Sequence, residues 1–76
     1  MIAKKVPQGL NYPVYLVQGG GTLHVIWARF AFPDQAEDFA MWLSKTGWGD
    51  QAFTEYRDKG RKVRKIYMNG IEKGSL

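Results

Sequence analysis

The sequence predicts an α+β fold: one small antiparallel sheet with a single amphipathic helix packed on one face. Three observations carry that expectation. Two β-prone runs near the N-terminus are joined by the glycines of "GGG" (19–21). A helix-periodic stretch, "PDQAEDFAMWLSKTG" (33–47), follows them. Two further β-prone runs then flank a "DKG" turn signal at 58–60. The favoured order is strand–strand–helix–strand–strand, within one small domain over residues 1–76.

Residues 1–10 contain Pro7 and Gly9 and no periodicity, and read as an irregular arm. "NYPVYLVQ" (11–18) alternates and is rich in Val and Tyr, as a strand requires. Pro13 lacks the N–H that a ladder uses, so this strand begins there or lies at a sheet edge. "TLHVIWARFAF" (22–32) is the longest strand candidate, and the three glycines before it read as a hairpin connection. A phosphate cradle would need that loop to open a helix, whereas β-prone residues follow. Strict alternation sends Ile26, Ala28, Phe30 and Phe32 toward the helix. It turns Val25, Trp27, Arg29 and Ala31 outward.

In the helical stretch, Ala36, Phe39, Ala40 and Leu43 recur at i, i+3, i+4 and i+7, one apolar stripe. Met41 and Trp42 widen that face toward the sheet. Asp34 with Glu37 three residues later forms a capping-box pattern, and Gly47 punctuates the end. Residues 50–68 admit three readings. "QAFTEYR" and "RKVRKIYM" can be strands joined by a three-residue loop in which Gly60 takes the left-handed position. A short helix ended by Gly60 and then one strand is the second. The third is a single long helix through Gly60, at a cost of about 1 kcal/mol. The β-branched and aromatic content of both runs favours the hairpin. Asn69-Gly70 marks a further turn, and 71–76 reads as a loose tail.

Composition limits the chemistry. Seventy-six residues without cysteine must do without disulfides. A domain of that size buries only roughly 60% of the surface its unfolded chain exposes. The single His24 makes a zinc site improbable, and no cofactor is expected. Three Trp, four Tyr and four Phe supply an aromatic core instead. A homodimer is the other way to complete so small a core. No run reaches the roughly 18 to 20 apolar residues of a membrane span, and "MIAKKVPQGL" lacks the apolar region of a signal peptide. The default expectation is therefore a cytoplasmic chain. Ser44 and Ser75 stand in no nucleophile motif, and the carboxylates Asp34, Glu37 and Asp38 suit a helix N-terminus. No catalytic constellation emerges, so a binding function rather than an enzyme is expected.

The charge pattern is the most informative feature. Net charge is +4, and Arg57, Lys59, Arg61, Lys62, Arg64 and Lys65 fall within nine residues. On a hairpin, Arg61 and Lys65 share one face while Lys62 and Arg64 share the other. One helix covers only one side of a sheet, which leaves the opposite side for water, a subunit or a ligand. The expected function is contact with nucleic acid. The six cations would hold phosphates, while Trp27, Arg29, Tyr56 and Tyr67 would supply stacking and further contacts. The alternative is a protein-binding adaptor or inhibitor module, of the compact phage or mobile-element kind. It would meet an acidic or apolar partner surface through Trp27, Arg29, Trp48 and Tyr56.

Overall fold

A computed structural model describes residues 10–75 and shows the expected α+β architecture. Five antiparallel strands form one sheet: β1 (Tyr12–Gln18), β2 (Leu23–Phe30), β3 (Gln51–Asp58), β4 (Arg61–Met68) and β5 (Ile71–Ser75). One helix, α1 (Pro33–Leu43), connects β2 to β3. The spatial order is β2-β1-β3-β4-β5. The irregular arm expected over residues 1–10 lies, apart from Leu10, outside the described residues.

The helix has its place for a topological reason. β2 and β3 both run antiparallel to β1, which lies between them, so they point the same way. A connection between strands of like direction must cross a face of the sheet, and a helix is the compact means of doing so. Ala36, Ala40 and Leu43 of the expected stripe are buried, and Phe39 packs beside them. The two alanines let the helix axis approach Val14 and Leu16 of β1, Ala52 of β3 and Tyr67 of β4, which complete the core. Met41 and Trp42 do not widen the buried face; both stay exposed.

Helix ends depart from expectation. Pro33 occupies the first turn, where its missing N–H costs nothing. No side chain caps this end, so the capping box of Asp34 and Glu37 does not form. Glu37 is instead drawn to the sheet, where its Oε2 accepts from the Tyr56 hydroxyl at 3.0 Å and meets Lys65 Nζ at 3.2 Å. After Ser44 the chain tightens into i→i−3 bonds before Gly47, Lys45 N–H donating to Trp42 O and Thr46 N–H to Leu43 O.

Pro13 stands at the start of β1, one residue before pairing with β3 begins at Val14. The glycines at 19–21 form a short 3-10 turn joining β1 to β2, so that a strand, not a helix, lies downstream. The turn at the basic stretch is tighter than expected. Asp58 pairs with Arg61, which leaves a two-residue loop with φ of 55° at Lys59 and 80° at Gly60. Asn69-Gly70 repeats that geometry, with φ of 55° and 81°. Such left-handed pairs match the twist of the strands they join. The second turn reverses the chain fully, so residues 71–75 form β5 against β4 and are not a loose tail.

A β-bulge changes which side chains of β2 face the helix. Val14 pairs with Ala28 but Tyr15 with Ile26, leaving Trp27 unpaired. Parity therefore switches within the strand. Val25, opposite buried Leu16, joins Ala28 and Phe30 on the helix side. Ile26 lies opposite Tyr15 on the other face and is exposed, contrary to strict alternation, and Phe32 is exposed as well.

Candidate nucleic-acid interface

The face of the sheet opposite α1 is uncovered among the described residues. Pairing registers put Tyr15 of β1, His24, Ile26 and Arg29 of β2, Phe53, Glu55 and Arg57 of β3, and Lys62 and Arg64 of β4 on it. Over β1–β4 this side holds four cations, Arg29, Arg57, Lys62 and Arg64, against one carboxylate, Glu55.

Its centre is an aromatic lane. Phe53 and its cross-strand neighbour Tyr15 are stacked, with centroids 4.7 Å apart and planes within 15°. His24 meets the Phe53 ring edge-on at 5.3 Å, and the Arg64 guanidinium lies 4.9 Å from its centroid. Three neighbours thus bury Phe53, while Tyr15 remains partly open and His24 exposed. Arg64 is held there by Glu55, whose Oε2 accepts from Nε at 2.9 Å and from Nη2 at 2.7 Å. Lys62 Nζ approaches the same oxygen at 3.4 Å. Partial burial works to raise the Glu55 pKa, but the hydrogen bonds and positive charges of Arg64 and Lys62 outweigh it. The carboxyl is held below its ordinary value and stays ionised.

At the end of the sheet where β1 begins, a cavity of about 520 Å³ opens between β2 and β3. Tyr12, Pro13, Arg29, Glu55, Tyr56 and Arg57 line it. The two tyrosine rings meet edge-on at 5.0 Å. Its size lies in the range of roughly 300–1,000 Å³ usual for small-ligand sites. Two guanidinium groups and two phenol rings suit a phosphate with an attached planar group.

The sequence-predicted cations divide between faces as expected. Lys62 and Arg64 are on the open side; Arg61 and Lys65 are on the helix side. Arg57 Nη1 donates to Gly60 O at 3.1 Å, bracing the turn. Lys65 is committed to Glu37, whose hydrogen bond, ahead of a smaller opposing effect of burial, raises the lysine pKa. Arg29, Arg57, Lys59 and Arg61 form no ion pair among the described residues.

Two aromatic assignments need correction. Tyr67 is 3% exposed and packs in the core beneath α1, where no base could stack on it. Trp27 does not accompany Arg29, because the bulge carries it against Trp48, at 5.1 Å and 20°. Tyr56 borders the cavity, but its hydroxyl serves Glu37, and burial and that bond raise its pKa. Tyr15, His24 and Phe53 join the site only in the folded sheet. Their signal was the alternation in "YPVYLVQ" and "QAFTEYR", which sets Tyr15 and Phe53 opposite Val14, Leu16 and Ala52. Compared with known proteins, the chain matches no family model, no curated protein and no solved structure. Among the described residues no helix is long and apolar enough to cross a membrane.

Proposed function

We propose that this chain is a non-enzymatic nucleic-acid-binding domain that takes a single strand across its uncovered sheet face. The observation carrying this reading is the cavity that joins Arg29 and Arg57 beside Tyr12 and Tyr56, with Arg29, Glu55 and Arg57 of its lining on the cationic open face. Phosphates would meet Arg29 and Arg57 on that face and Lys59 and Arg61 at the adjoining β3–β4 turn, whose charges no carboxylate takes up among the described residues. Bases would stack on Tyr15 and His24, which needs no particular sequence.

Anisotropy titrations of short homopolymer DNA and RNA strands at increasing salt test the reading. Four phosphate contacts predict a slope of log affinity against log salt near −3, at about 0.7 per contact. The triple substitution Arg57→Glu, Lys59→Glu, Arg61→Glu should weaken binding at least tenfold at low salt. Binding too weak to measure at low salt, or insensitive to salt, refutes the proposal.

The three half-exposed tryptophans favour a second reading, a protein-binding adaptor or inhibitor module. The same triple variant separates the two, since contact centred on the tryptophans survives reversal of the hairpin charges.

A further inference from the structure

Among the described residues β2 is an edge strand, and its composition is unusual. Its eight residues, "LHVIWARF", include one charged side chain, Arg29, and neither Lys nor Pro. The other edge, β5, carries Glu72 and Lys73 in five residues. Edges left unpaired are ordinarily guarded by charge, proline or bulges. Here the guard is the bulge at Trp27, which leaves Leu23–Ile26 regular.

Apolar side chains surround that segment. Leu23 is 52% exposed, Ile26 41%, Trp27 42%, Trp42 47% and Trp48 52%. The indoles are fixed against one another: Trp48 stacks on Trp27 and receives Trp42 edge-on at 5.9 Å. Gln18 Nε2 also donates to Trp48 O at 3.1 Å, tying the loop to the end of β1. At about 150–250 Å² for each fully covered aromatic, the half-exposed indoles with Leu23 and Ile26 offer on the order of 400 Å². The unpaired backbone edge adds to this, a substantial part of the ~800 Å² per partner of a stable complex.

We infer that this edge binds a second copy of the chain, β2 pairing antiparallel with β2 about a two-fold axis near Leu23–Ile26. A two-fold contact needs a surface complementary to itself. An unpaired antiparallel edge has that property, because its alternating N–H and C=O groups match the same strand turned through 180°. Charge supports the same arrangement in a protein of net charge +4. The basic β3–β4 turn lies toward the Phe30 end of β2, as the cavity shared by Arg29 and Arg57 shows. Antiparallel docking at the Leu23 end sends the two turns to opposite ends of the assembly, where they do not repel. The dimer has ten strands, with both helices and all six indoles on one side. Both open faces form one continuous surface on the other. This inference does not depend on nucleic-acid binding.

The chain has no cysteine, so single Cys variants report proximity cleanly. Wild-type protein should sediment as a dimer at micromolar concentration. His24→Cys, next to the axis, should cross-link as a disulfide dimer at least tenfold faster than Lys73→Cys on β5, because bridging needs Cα atoms within about 7 Å. Trp27→Lys should raise the dimer dissociation constant at least tenfold with circular dichroism unchanged; Trp42→Lys, on the helix surface, gives the same reading if Trp27→Lys fails to fold. A monomer at several hundred micromolar, equal cross-linking through β5, or a patch that binds only a foreign polypeptide overturns the inference. Nucleic-acid binding by a monomer would overturn it while leaving the proposed function standing.

Discussion

Glu37 shows how one side chain can be claimed by tertiary structure rather than by its own helix. Its position suits a capping box, yet Tyr56 and Lys65 on the sheet hold its carboxylate. These contacts fix the pH response. The Glu37 hydrogen bond is the larger influence raising the Lys65 pKa; burial leads, and Glu37 adds to it, in raising that of Tyr56. Burial also raises Tyr67. Groups whose folded pKa is raised stabilise fully below their ordinary values and lose that stability as pH climbs through the folded values. Stability should therefore begin to fall above about pH 10, the ordinary range of Tyr and Lys. Glu55 acts with the opposite sign: its lowered pKa stabilises above the ordinary carboxylate range and is lost as pH falls through the folded value. Glu37→Gln should cost about 1 kcal/mol at neutral pH, since the pair is partly exposed, and should flatten the alkaline limb. Urea melts across pH measure both; an unchanged alkaline limb would exclude Glu37 as its source.

Among elements, the turns and the bulge decide what propensity leaves open. Asn69-Gly70 is a strong hairpin signal, but "IEKGS" lacks the alternation of a strand, so the local pattern argued against β5. The turn that starts the strand is also fastened from outside. Buried Ser44, at the end of α1, accepts from Gly70 N–H at 2.8 Å while its hydroxyl donates to Met41 O at 2.7 Å. Ser44→Ala should cost about 1 kcal/mol. Hydrogen exchange should accelerate first across Ile71–Ser75, before the central strands; uniform acceleration would show that Ser44 serves the core rather than the turn. The bulge in β2 was invisible in sequence, since one unpaired residue leaves composition unchanged while moving Ile26 and Trp27 to new surroundings.

For the whole molecule, the core is small and alanine-rich: Val14, Leu16, Ala36, Ala40, Leu43, Ala52 and Tyr67. At roughly 0.05–0.15 kcal/mol per residue the total stability is about 4–11 kcal/mol. Leu16 is fully buried at the centre of this cluster. Leu16→Ala should cost about 2–5 kcal/mol and lower Tm by 10 °C or more, at about 4–8 °C per kcal/mol. Calorimetry measures this directly; a fall of only a few degrees would mean that the helix closes over the cavity. A thin core also explains the distribution of aromatics, because alanines at the helix–sheet contact bring the layers too close to enclose three indoles.

By itself the sequence determined the local elements: an amphipathic helix within residues 33–47, β-prone runs on either side, and a break at Gly60 that favours a hairpin. Once that hairpin is formed, a period of two separates Lys62 and Arg64 from Arg61 and Lys65. These features follow from chain-local sterics and periodicity. Tertiary structure alone decided the partners. It put β1 between β2 and β3, buried Tyr67, gathered Arg29 with Arg57, and set Trp27 beside Trp48. Those outcomes depend on strand order and on a one-residue change of register, which are settled by packing among residues far apart in the chain.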